Sequence, residues 1–322
     1  MTRDGVVRTL FEVGAPQRFV VGTQDVTVTG RTQLVRSDGS VFKQYYHSLS
    51  ASLDSPTLTS SVAFGYHHLG GMCGLGAYFV TIDEFYRVKG AGLNRCGQLG
   101  VGTTIDTATP QTVLLPPGKK AKRVFVNFLS IGMNSLILTE DGELYASGVL
   151  EHGLPSPPIL TAPKKISLPA DDNRVIFAAA GGWTSYAITD KGNAYSIGYN
   201  LYGGSGVNQP SLKTITTPTR VDLPNGEKVQ ASTDAWALDR NNGYVITQSG
   251  KVYGWGDNGN GQIGNGTIGP HYIGVHKPTR ISWYGYPGQS KAVKLAFDGE
   301  TVYILEDRKS TRLNSSHALA SR

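Results

Sequence analysis

The chain has 322 residues, of which 39% are hydrophobic, 17% charged and 41 glycine, with a formal charge of +6. That apolar content excludes wholesale disorder, no apolar run approaches the ~18 residues that span a bilayer, and the start, "MTRDGVVRTLFEV", has no stretch of signal-peptide length. Two cysteines, Cys73 and Cys96, are too few for a disulfide framework, so a reducing cytoplasmic or nuclear compartment is expected, and with it an inert Asn265-Gly266-Thr267 sequon.

Residues 1–18 stand outside any repeat, and internal self-similarity begins at about residue 19. "QLVRSDGSVFKQY" (33–45) predicts a hairpin about Gly39, and "AYFVTIDEFYRVKG" (77–90) predicts another with Glu84 where glycine is expected. Three clearer copies follow: "NSLILTEDGELYASG" (134–148), "TSYAITDKGNAYSIG" (184–198) and "NGYVITQSGKVYGWG" (242–256). In each, apolar and polar positions alternate up to a Thr-x-x-Gly turn at Gly142, Gly192 and Gly250, which predicts a β-hairpin. A short apolar strand is predicted before each hairpin, at 123–132, 174–183 and 228–236. A glycine-rich corner follows, "GLNRCGQLGVG" (92–102), "GYNLYGGSG" (198–206) and "GDNGNGQIGNG" (256–266). After each corner comes a Pro-led edge strand: "TPQTVLLP" (109–116), "APKKISLP" (162–169), "TPTRVDLP" (217–224) and "KPTRIS" (277–282). "AVKLAFDGETVYILED" begins a sixth copy. Turns recur every 45 to 58 residues, the period of propeller blades.

The last sixteen residues, 307–322, abandon this pattern. Their sequence, "DRKSTRLNSSHALASR", resembles one reading frame of a short-read sequencing adapter, and they are expected to be a non-native tail. Without them Lys plus Arg falls from 30 to 26 and Asp plus Glu from 24 to 23, leaving +3. A charge that small does not point to nucleic acid.

The corners invite a ligand reading that their surroundings oppose. A dinucleotide fingerprint needs a helix after the glycines, whereas prolines and β-branched residues follow here. A calcium loop needs alternating acids, and "GDNGNGQIGNG" offers only Asp257. The corners are therefore expected to be architectural, with Gly92, Asn94, Gly97 and Gln98 in one, Asn200 in the next, and Gly256, Asn258, Gly261 and Gln262 in the third. Their Asn and Gln side chains are expected to satisfy buried backbone groups in the bend.

A small-residue bend, Thr-x-x-Gly, an aromatic, Gly-x-Gly-x-Asn, Gly-Gln-Leu-Gly and then Pro together resemble the repeat of the regulator of chromosome condensation family, best at 245–266 and next at 90–102. The resemblance implies an all-β fold, a β-propeller of four-stranded blades, over 19–306. About five complete blades and a partial sixth are expected, of a usual seven, and 1–306 alone is expected to be poorly soluble through exposed edges. It also implies a protein-binding role, or guanine nucleotide exchange on a Ran-type small GTPase with chromatin binding. Trp183 is similar to the Gly-Trp element of a photoreceptor branch of this family, but Thr184 and Ser185 replace that branch's Arg and His, so photoreception is not expected.

No Ser/His/Asp order, paired carboxylates or phosphate loop stands out, so neither catalysis nor a cofactor is expected. His67, His68 and Cys73 lack a second ligand cluster, and no metal site is expected. Loops 103–109, 207–216 and 267–277 are the natural contacts for a protein partner, the last bearing His271, Tyr272 and His276. The basic run "GKKAKR" (118–123), with Lys119, Lys120, Lys122 and Arg123, is either a contact for an acidic partner or a solvated connector.

Overall fold

The alternation becomes strands throughout the chain. A computed structural model describes side chains over residues 78–83, 85–126, 134–151, 153–181, 183–232, 235, 241–269, 274–281, 291–295, 302 and 304, and beyond these the backbone of the strands named below. Two compact units form, residues 1–149 with 158–166, and residues 150–157 with 167–322.

The first unit holds three four-stranded sheets and a two-stranded ladder. Its first six strands are β1 (Val6–Phe11), β2 (Gln17–Val20), β3 (Asp25–Val28), β4 (Arg31–Val35), β5 (Val41–Tyr45) and β6 (Leu49–Ser52). They pair in the order β2-β1-β4-β5, with β3 and β6 forming a ladder of their own. The hairpin read about Gly39 is β4–β5, with Gln33 opposite Lys43, and its turn lies outside the described residues. β1 lies on the N-terminal side of residue 19. The second sheet runs in chain order through β7 (Ser61–His67), β8 (Gly76–Ile82), β9 (Val88–Gly92) and β10 (Thr107–Thr112). The third does the same with β11 (Ala121–Val126), β12 (Asn134–Thr139), β13 (Leu144–Gly148) and β14 (Leu160–Lys165).

The second unit continues with β15 (Val175–Ala180), β16 (Thr184–Thr189), β17 (Ala194–Tyr199) and β18 (Thr214–Arg220) as a fourth sheet. The fifth is β19 (Trp236–Leu238), β20 (Asn242–Ile246), β21 (Val252–Gly256) and β22 (Val275–Arg280). A three-stranded sheet of β23 (Lys291–Phe297), β24 (Val302–Asp307) and β25 (His317–Leu319) follows, and β25 falls within 307–322. The first strand of the fifth sheet departs from the predicted 228–236: Val229 makes one bridge to Thr247, the chain bends away, and pairing resumes at Trp236 opposite Val245.

Middle strands are buried on both faces, so sheets pack against sheets. All of β12, β13, β16, β20 and β21 is buried. In the first unit Tyr78, Ile82, Val88, Leu99, Val124 and Ile137 interlock between the second and third sheets. In the second, Ile188, Val221, Val245, Tyr253 and Trp255 fill one interface, and Tyr244, Ile246, Ile263, Leu295 and Ile304 fill the next. Each fully buried Ile or Leu contributes roughly 1.5–3 kcal/mol.

The Thr-x-x-Gly signature has a backbone cause. Thr139, Thr189 and Thr247 donate their N–H to the carbonyls of Glu143, Asn193 and Lys251, and accept from the turn glycines Gly142, Gly192 and Gly250. Those glycines sit at φ of 85°, 73° and 80°, where a side chain is strained. The β8–β9 turn corrects the sequence reading. Asp83 takes the threonine's place, bonding Arg87 and Tyr86 at 3.0 Å each, and Tyr86 (φ 62°) takes the glycine's. The turn therefore closes two residues after Glu84, which lies outside the described residues. Its physical cause is the Asp83 carboxylate, whose Oδ1 accepts the N–H groups of Phe85 and Arg87 at 2.9 Å each.

Candidate interaction surface

Each corner is built around one asparagine. Asn94 Oδ1 accepts the N–H of Leu99, Asn200 that of Ser205 and Asn258 that of Ile263, at 2.9, 3.0 and 3.1 Å. Their amide groups donate across the loop to the carbonyls of Thr103, Gln209 and Thr267, at 2.9, 2.9 and 3.1 Å. One planar amide thus ties the backbone five residues ahead to the backbone nine ahead, in all three copies. Gln98 and Gln262 support the bend by accepting the N–H of Cys96 and Asn260. Gly97, Gly203 and Gly261, three residues past each asparagine, take φ of 71°, 79° and 77°.

The sequence did not reveal how the carbonyl four residues past the asparagine is satisfied. Gln98 O accepts the hydroxyls of Ser135 and Ser147, at 2.7 and 3.2 Å. Gly204 O accepts Trp255 Nε1 at 2.9 Å and the Tyr186 hydroxyl. Gln262 O accepts the Tyr244 hydroxyl at 3.0 Å. A clue was available: Tyr186 and Tyr244 occupy one slot of the repeat, three residues before Thr189 and Thr247.

Beyond the clamps, the variable loops carry Ile105, Leu212 and Ile268, which are 72%, 64% and 74% exposed. His276 is half-buried and turned onto the neighbouring corner, with Nδ1 2.7 Å from Gln209 O and Nε2 3.4 Å from Ser211 Oγ. His271 and Tyr272 lie outside the described residues, as do His68 and Cys73. Cys96 is fully buried and disulfide-bonded, so the reduced state expected of so cysteine-poor a chain does not hold at this residue.

The basic run divides. Lys119 is 2.6 Å from both Asp141 and Glu143, and Glu143 also holds Lys165 at 2.5 Å and the Tyr145 hydroxyl at 2.6 Å. The Lys119 ammonium brings both carboxyls down to about 2, while burial and then the Glu143 bond push Tyr145 up to about 12. Lys120 Nζ lies 5.2 Å from the centre of the Tyr86 ring. Lys122 and Arg123 are exposed on β11.

Four-stranded antiparallel sheets that repeat in sequence and pack face to face within each unit define a β-propeller. Its fold is similar to that of human WBSCR16, with a TM-score of 0.62 at 21% identity over 80% of this chain and 62% of that one. Residues 249–296 match the family model of the Regulator of chromosome condensation (RCC1) repeat. Similar proteins include the Ultraviolet-B receptor UVR8 of Arabidopsis thaliana, 29% identical over 187 residues, which are 57% of this chain and 40% of that protein. The E3 ubiquitin-protein ligase HERC2 of Homo sapiens is 32% identical over 198 residues, 58% of this chain and 4% of that protein. The chain therefore spans less than half the length of either curated relative. Residues 249–296 thus carry an RCC1 repeat, and the relatives and the fold support an RCC1-like β-propeller. Among the described residues no helix is long and apolar enough to cross a membrane.

Proposed function

We propose that the chain is a non-catalytic protein-interaction module that takes its partner on loops 103–109, 207–216 and 267–277. One observation carries this reading: every asparagine-clamped corner is followed by a loop that leaves a large aliphatic side chain in solvent, Ile105, Leu212 or Ile268. Apolar side chains on immobilised loops lose little entropy on association, the condition for tight contact. His276 serves by bracing the 207–212 segment.

The test is to replace Ile105, Leu212 and Ile268 together by aspartate and capture partners from lysate with wild-type and variant chains. Loss of the captured proteins with an unchanged melting transition supports the reading. Retention of every partner by a folded variant overturns it. The exchange-factor alternative rests on the repeat family alone, and stimulated release of labelled GDP from Ran would put it in first place.

A further inference from the structure

The β8–β9 turn differs from its counterparts in what it exposes. Elsewhere the turn tips are polar, Asp141-Gly142, Lys191-Gly192 and Ser249-Gly250, whereas here they are Phe85 and Tyr86, 61% and 43% exposed. Tyr86 holds a backbone conformation that glycine holds in the other three. A strained, solvent-facing aromatic where a glycine would serve the fold better is the mark of a side chain kept for contact. The tip is also stiff. Asp83 Oδ2 accepts Arg87 Nε at 2.7 Å, and the Arg87 guanidinium lies over Phe85 at 4.9 Å. Lys120 covers Tyr86, and Ala121 N–H bonds Tyr86 O, so the 118–123 segment is fastened to the tip. Exposed Lys120, Lys122 and Arg123 add positive charge. Nearby Asp141 and Glu143 are occupied by Lys119.

We propose that Phe85, Tyr86, Lys120, Lys122 and Arg123 form a second docking site, for an acidic segment of a partner protein that also carries an aromatic side chain. Charge complementarity selects the acid, and two held rings select the apolar group. The site shares with the preceding section only the idea that the chain binds proteins, and it uses none of the corner loops.

Fluorescence anisotropy with the full chain tests it, using a fluorescein-labelled peptide of glutamates interspersed with phenylalanine. The comparison probes are an all-glutamate peptide, a lysine–phenylalanine peptide and an oligouridine RNA. The glutamate–phenylalanine peptide is expected to bind best and to weaken with salt. Phe85→Ser and Tyr86→Gly should each weaken it roughly tenfold, and Lys120→Ala about threefold. Tyr86→Gly should melt no lower than wild type, because it installs the residue the other turns use, so its loss of binding cannot be ascribed to misfolding. The triple aspartate variant of the corner loops should bind the peptide unchanged. The proposal fails if the glutamate–phenylalanine peptide does not saturate, if Tyr86→Gly leaves its affinity intact, or if the corner-loop variant abolishes it. Tighter binding of oligouridine would replace the protein partner with a nucleic acid.

Discussion

The two ends of each hairpin are held by different chemistry. At the corner end, Asn94, Asn200 and Asn258 make the same neutral hydrogen bonds in buried surroundings. At the turn end, the residue after the turn glycine is Glu143, Asn193 or Lys251, acidic, neutral or basic. Its partner, from the segment before the first strand or from the sequence just ahead of it, changes to match. Lys119 meets Glu143, Asp172 accepts Asn193 and Tyr195 at 2.5 and 2.8 Å, and Glu227 accepts Lys251 at 2.7 Å. A corner must pair a donor and an acceptor of fixed backbone, which only a planar amide of one length does. A turn end needs only complementary groups, so sign and identity can drift.

If the corner end carries the stability, its disruption should be the costliest. Trp255→Ala removes a fully buried indole and the bond to Gly204 O, and should cost about 3–5 kcal/mol in chemical denaturation. Asn200→Ala abandons Ser205 N–H and the carbonyls of Gln209 and Pro210, and should cost about 2–4 kcal/mol, independent of salt. A loss below about 1 kcal/mol would erase the distinction between the ends.

The turn end should answer to pH instead. Asp141 and Glu143 have folded values lowered to about 2, below their unfolded values near 4. Their contribution is complete above pH ~4 and is lost as pH falls through ~2, so melting temperature should drop across that window. Asn200→Ala should shift the whole profile without changing its shape. Glu227→Lys should cost about 0.5–1 kcal/mol, and adding Lys251→Glu should restore most of it. Failure of the double change to recover would mean that this pair is not interchangeable. The smallest effect is Tyr86→Gly, where relief of a left-handed tyrosine outweighs the added chain entropy by less than about 1 kcal/mol in favour of the fold.

Legibility followed the same division. The corners were readable because glycine and asparagine at fixed spacing each answer one backbone demand, and Asn94, Asn200 and Asn258 fill the slots assigned to them. The hairpins at Gly142, Gly192 and Gly250 were readable for the same reason. What escaped was long-range. Trp255 reaches Gly204 across 51 residues, and Tyr78 reaches the Asn134 carbonyl across 56, contacts that no local pattern encodes. The displaced β8–β9 turn escaped because an aspartate stands in for the threonine and a left-handed tyrosine for the glycine. The interruption between Val229 and Trp236 escaped because small residues such as Ala231 and Ser232 suit a bend as well as a strand.

In the second to fifth sheets the fourth strand carries a proline, Pro110, Pro163, Pro218 or Pro278, where its register against the third strand shifts. The missing N–H and the local kink leave those outer rims unable to template a strand from another molecule. Crowded copies of the chain should therefore meet through side chains rather than by stitching main chains together. That leaves the loops free to diversify without turning the protein into a fibre.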